Sequence, residues 1–164
     1  TTAALAKKSG ITEAALYRHF PSKRSIYAEL FTFCDEAIFT KCNELKKSKI
    51  APKEKVKNTY MFFMLFVEKN KGFARLLSRE ALSSNEQNVS DNVNQFFERL
   101  ELVLRQMLKE SENELRTQAG ISAQLIVTLL EGNISRFIRS KFKDSPSSYI
   151  ENIWKILEIN IFKN

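Results

Sequence analysis

Only four glycines and three prolines interrupt 164 residues, and that scarcity constrains the fold more than any other feature of the chain. Sheets need frequent turns, and turns need residues that tolerate their backbone angles. A chain so poor in both is expected to run in long helices. The apolar spacing agrees. Ile26, Leu30, Phe33, Ala37, Ile38, Cys42 and Leu45 recur every three or four residues, one stripe along a helix. Ser22 can cap it, and Lys46-Lys47-Ser48-Lys49 suits its negative end. Pro52 fits the first turn of a following helix. That helix carries the apolar run 60–67 and is expected to be buried nearly all round. Asn70-Lys71-Gly72 is expected to break it, ahead of a short helix over 73–79.

Two more amphipathic helices follow, one marked by Phe96, Phe97, Leu100, Val103, Leu104, Met107 and Leu108, the other by Ile121, Leu125, Ile126, Leu129, Leu130, Ile134, Phe137 and Ile138. After the break at Lys143-Asp144-Ser145-Pro146, a last helix shows Tyr149, Ile150, Ile153, Trp154, Ile156, Leu157, Ile159, Ile161 and Phe162. That set is too wide for one core-facing stripe, so a second cover is needed. The last two helices are therefore expected to form a homodimer interface, a four-helix bundle with their symmetry mates.

The formal charge is +7, which suits a polyanionic partner. Much of it lies early: within 1–26, Lys7, Lys8, Arg18, Lys23 and Arg24 stand against Glu13 alone. Cys34 and Cys42 lie too far apart on one helix to bond each other, roughly 12 Å. No cysteine or histidine spacing suggests a metal site, and a reducing cytosol is the expected compartment. The apolar run 60–67 is far short of the roughly 20 residues a membrane span needs, and no signal peptide is expected. A single histidine, His19, leaves no His-dependent triad elsewhere. No Gly-rich phosphate loop is apparent. Neither an enzyme nor a cofactor is expected.

The first residues carry the chemistry. Thr2 to Lys8 reads as a short helix that Thr1 or Thr2 can cap, stopped at Ser9-Gly10. Thr12 can cap a second short helix running to His19, and Phe20-Pro21 ends it. Two short helices hinged at a glycine are a helix-turn-helix, which offers the start of its second helix to the major groove. The reading face is Thr12, Glu13, Ala14, Ala15, Tyr17 and Arg18. Backbone N–H groups behind Thr12 can approach a phosphate. Tyr17, His19 and Lys23 lie where phosphates should run, while Phe20 reads as core.

The spacing Tyr17, Phe20, Lys23, with Gly10 in the turn, resembles the TetR family, whose helix-turn-helix ends in a Tyr-x-x-Phe-x-x-Lys signature. The resemblance implies backbone contacts by Tyr17, His19 and Lys23, with Thr1, Thr2, Thr12, Glu13, Ala14 and Arg18 completing the DNA-binding set. It implies residues 1–24 as the DNA-binding domain, 25–164 as a helical regulatory and dimerisation domain, and a further helix ahead of Thr1. A narrower likeness extends along the chain. The segment 1–23, the stretches Asn94 to Glu101 and Leu104 to Leu108, and Glu131-Gly132 with Ser135 to Lys143 resemble nucleoid occlusion factors, TetR-type regulators of cell division. Such proteins bind palindromic chromosomal sites and oppose assembly of the tubulin-like GTPase FtsZ, whose acidic tail docks on the regulatory domain. The likeness implies Phe33, Lys41, Phe62, Leu65, Lys69 and Asn70 for that contact and a cytoplasmic, nucleoid-associated location. Lys41 and Lys69 stand where arginine is familiar, which keeps charge but loses bidentate pairing. Leu65 replaces a glycine and could narrow the groove. The competing reading is a repressor released by a small apolar ligand bound beside 60–67; the bulk of those side chains argues for tight packing instead.

Overall fold

The computed structural model describes residue 10, residues 12–80 and residues 87–163. Its helices are α1 (Glu13–His19), α2 (Lys23–Lys47), α3 (Pro52–Lys69), α4 (Lys71–Leu77), α5 (Gln87–Lys109), α6 (Ala119–Arg139) and α7 (Ile150–Ile161), with single 3-10 turns at Glu112–Glu114 and Pro146–Ser148. Among the described residues there is no strand, only one isolated antiparallel bridge between Leu115 and Phe162. The all-α expectation holds. The expected helix from Thr2 to Lys8 lies outside the described residues.

Aromatic packing fixes the helices around two centres. Phe96 of α5 is fully buried. Around it stand Phe39 at 5.3 Å, Phe73 at 5.8 Å, Phe63 at 6.0 Å and Phe31 at 6.1 Å between ring centroids. These separations suit tilted and edge-on ring contacts, which add to the hydrophobic gain. One phenylalanine thereby ties α2, α3 and α4 to α5. At the second centre Trp154 of α7 lies 6.0 Å from Tyr60 of α3. The Tyr60 hydroxyl accepts from the Asn133 amide of α6 at 3.3 Å, so neither buried polar group is orphaned there.

Two polar clamps lock the ends and the middle. Lys55 is buried, and its ammonium donates to the Glu110 carboxylate at 2.6 Å and to the Lys46 carbonyl at 3.0 Å. That joins the end of α2, the start of α3 and the turn after α5. In the middle, the Arg99 guanidinium bonds both oxygens of Asp35 at 3.0 and 3.2 Å and lies 3.8 Å over the Phe39 ring.

Several local expectations need correction. Lys71 and Gly72 do not break the chain; they form the first turn of α4, and Asn70 alone makes the turn. Asn70 suffices because its side-chain amide donates to the Phe66 carbonyl at 2.8 Å, while its backbone N–H reaches Phe66 and Val67. These are the carbonyls that a helix end leaves unpaired. The helix α3 is not covered all round: Leu65 is 39% exposed, and Glu54, Asn58 and Lys69 are exposed as well. Eight successive apolar residues sweep every face of a helix, and the neighbouring helices cover only part of that circumference. Phe20, expected in the core, is half-buried.

The helix α6 ends without glycine. Lys141 and Phe142 both take left-handed angles, φ 55 and 62. Phe142 N–H bonds the Phe137 carbonyl at 2.9 Å and Lys141 N–H the Ile138 carbonyl at 2.8 Å. This is the Schellman arrangement, held here by residues that adopt it at a cost. It turns the chain back so that α7 returns against α3. At the far end Arg116 N–H bonds the Ile161 carbonyl at 2.8 Å and Lys163 N–H the Glu114 carbonyl at 2.7 Å, pinning the close of the chain to the α5–α6 link.

Candidate functional site

The reading helix is set by its two ends. Thr12 holds extended angles, and its hydroxyl accepts from the Ala15 N–H at 3.1 Å. Gly10, with φ +69, takes the left-handed turn that a side chain would strain. At the other end Phe20 leaves helical geometry (φ −128, ψ 94), as the residue before Pro21 should. Ser22 then opens α2 with a capping box: its hydroxyl accepts from Ser25 N–H and the Ser25 hydroxyl accepts from Ser22 N–H, both at 3.1 Å. Serine does the work that glutamate or glutamine usually does, with a shorter reach.

Between these caps α1 turns Leu16 inward, 5% exposed, and leaves Thr12, Ala14, Tyr17, Arg18 and His19 outside. Tyr17, a large aromatic, is 42% exposed. Lys23, in the first turn of α2, is exposed and its ammonium stands 5.0 Å from the Tyr27 ring centroid. The cation–π contact helps to position the charge. The structure thus brings Thr12, Ala14, Tyr17, Arg18, His19 and Lys23 onto one short exposed surface. Glu13 is the first helical residue. Thr1 and Thr2 lie outside the described residues.

The second set of expected residues lies on α2, on α3 and at the turn that closes α3. Phe33 is 66% exposed, and Leu65 and Lys69 also face outward. Phe62 is half-buried, its ring 5.8 Å from that of Phe66. Lys41 bonds Glu44 at 3.1 Å, a solvent-facing pair of little energetic weight. Asn70 closes α3 through its side-chain amide on the Phe66 carbonyl. A third surface lies on the last two helices. Ile121 and Leu125 of α6 are 54% and 43% exposed, and Ile156 and Ile159 of α7 are 63% and 61% exposed. Sequence spacing found these residues; it missed the Arg99 and Lys55 clamps, which join residues 64 and 55 positions apart.

Comparison with known proteins fits this geometry. Residues 1–30 match the family described as "Bacterial regulatory proteins, tetR family", and residues 53–161 match the SlmA-like family described as "Tetracyclin repressor-like, C-terminal domain". The chain is 38% identical over 161 residues to the nucleoid occlusion factor SlmA of Marinobacter nauticus, covering 96% of this chain and 83% of that protein. It is 37% identical to the SlmA of Vibrio campbellii, covering 98% and 84%. Among solved structures, Pseudomonas aeruginosa NalD, the secondary repressor of the MexAB-OprM multidrug efflux pump, superposes with a TM-score of 0.70 at 15% identity, over 100% of this chain and 87% of that one. Bacillus subtilis FadR, solved with stearoyl-CoA, superposes with a TM-score of 0.65 at 16% identity, over 98% and 88%. These two share the fold. The chain belongs to the SlmA family of nucleoid occlusion factors, within the TetR-type bacterial regulators.

Proposed function

We propose that this chain is a DNA-bound homodimer that blocks FtsZ assembly over the chromosome. The observation that carries the reading is the outward set Thr12, Ala14, Tyr17, Arg18 and His19 on a capped short helix, with Lys23 at the start of the next, in a chain 38% identical to a nucleoid occlusion factor over nearly its whole length. Residues 1–24 serve as the reading domain and 25–164 as the regulatory and dimerisation domain. The start of α1, with Thr12, Glu13, Ala14 and Arg18, meets base edges, while Tyr17, His19 and Lys23 meet phosphates; Thr1 and Thr2 complete the contact. The exposed isoleucines of α6 and α7 pair two copies, which sets two reading heads on a palindrome. Phe33, Phe62 and Leu65 give the flank an apolar floor, with Lys41, Lys69 and Asn70 around it, suited to an acidic tail. Such a protein works in the cytoplasm at the nucleoid, without catalysis.

A ligand-released repressor would need a cavity beside 60–67. Tyr60, Phe63, Met64 and Val67 are instead fully buried, with Phe63 against Phe96 and Phe66 against Phe73, each at 6.0 Å. The deciding experiment is sedimentation of polymerised FtsZ with this protein, with and without its cognate DNA. DNA-dependent loss of polymer is expected. Polymer that is indifferent to the DNA-bound protein would refute the reading.

A further inference from the structure

The basic groups beside the reading head continue past it. An open cleft of about 550 Å³ separates the start of α2 from α4, lined by Lys23, Tyr27, Leu30, Gly72, Arg75 and Glu80. Gly72 is what lets the two helices come so near: a Cβ there would stand 3.3 Å from the Leu30 side chain. Across α4, Lys71 and Arg75 both lie over the ring of Phe142, at 5.3 and 5.1 Å. Phe142 sits in the left-handed turn that ends α6, between exposed Lys141 and Lys143. Positive side chains from three separate elements therefore share one face, beginning at the lysine assigned to a phosphate.

The carboxylates near this face are already engaged. Glu80 stands 3.8 Å from Arg75, Asp144 stands 3.4 Å from Arg136, and Glu68 accepts from the Ser147 N–H and hydroxyl at 2.7 and 2.9 Å. Among the described residues, Lys71, Lys141 and Lys143 have no ion-pair partner. Gathering unneutralised like charge on one surface costs self-repulsion, which a polyanion relieves by releasing its own counterions. The strained turn at Lys141 and Phe142 makes the gathering more specific, since it presents the ring on which two of the cations rest.

We infer that Lys71, Lys141 and Lys143 form a second, sequence-independent contact with DNA phosphates, beside the groove that α1 enters. The inference rests on the DNA-binding function proposed above. It makes the regulatory domain part of the DNA interface, where it adds affinity and no base discrimination.

The test is a salt series on a labelled mixed-sequence DNA duplex with the parent, with Lys71→Gln/Lys141→Gln/Lys143→Gln, and with the same three positions changed to Arg. Each phosphate contact contributes about 0.9 to the slope of log affinity against log salt, so the Gln variant is expected to lose roughly 2 to 3 from it. The Arg variant keeps the charges and should keep the slope. Cognate and mixed-sequence duplexes should weaken by the same factor. An unchanged slope in the Gln variant overturns the second contact and leaves the reading head intact, provided Lys23→Gln still lowers the slope. Loss of slope in the Arg variant as well would mean a disturbed fold rather than lost charge, and also overturns it. A parent that binds no duplex at low salt would sink the DNA-binding function and this contact with it.

Discussion

Changing Ile156 and Ile159 together to Ala should separate the two copies of the proposed dimer without unfolding either one. Both side chains project from α7 with 63% and 61% of their surface exposed in the single chain. Ile→Ala removes three carbons, worth about 0.8 kcal/mol each when fully buried, and the exposed fraction leaves about 1.5 kcal/mol per side chain for a partner to supply. Two side chains on each of two copies give roughly 6 kcal/mol, the limit for complete covering, or about four decades in dissociation constant. The same change costs the isolated fold little, because the part removed covers little within the chain. Sedimentation equilibrium over a dilution series reads the dissociation constant, and far-UV circular dichroism reads the fold. The expected result is a helical monomer at concentrations where the parent is dimeric. Equal dissociation constants for parent and variant would refute the assignment of this face, as would a parent that is monomeric throughout.

Lys23→Gln should weaken every duplex alike and reduce the salt slope by about 0.9, one phosphate contact; an unchanged slope removes Lys23 from the DNA interface. Lys69→Glu should spare DNA binding while reducing capture of a synthetic FtsZ tail peptide, read by fluorescence anisotropy, and equal capture excludes Lys69 from the groove. Burial raises the Cys34 and Cys42 thiols from 9.0 to about 11 and the Tyr60 hydroxyl from 10.0 to about 12. The folded state therefore favours their neutral forms: the stabilisation is complete below pH 9 and is lost as pH climbs through the raised values. The urea midpoint should be level up to about pH 9 and then fall, and a midpoint still level at pH 11 would contradict the burial of these groups.

What the sequence made legible was whatever repeats locally. The 3.6-residue period located α2, α5, α6 and α7, and cap chemistry located Thr12, Ser22 and the stop at Phe20-Pro21, since each rests on neighbours a few residues apart. The buried side of α1 was legible for the same reason: spacing alone puts Leu16 across the helix from Ala14. Hidden were the features set by distant partners. Nothing around Lys55 announces a buried lysine, because Glu110 and the Lys46 carbonyl reach it only through the fold. The pairing of Lys71 and Arg75 on the Phe142 ring was equally hidden, since the three meet only through the fold. Lys71 and Gly72 were misread because Asn-Lys-Gly has the composition of a loop, while hydrogen bonding lets Asn70 alone make the turn.

The long helix α2 connects the two proposed tasks. It begins at Lys23, beside the reading helix, and its 25 residues span roughly 37 Å, past Phe33 and Lys41 on the partner flank. It is tied to the rest of the fold at two levels, by Arg99 on Asp35 and Phe39 at its middle and by Lys55 on the Lys46 carbonyl at its end. A rod so clamped cannot tilt at one end and stay still at the other without breaking one of those contacts. The proposed boundary at 24/25 falls inside α2, which runs unbroken there. The orientation of α1 on a duplex fixes where the flank of Phe33 faces, so a DNA-bound dimer would hold two such flanks in set positions relative to the double helix.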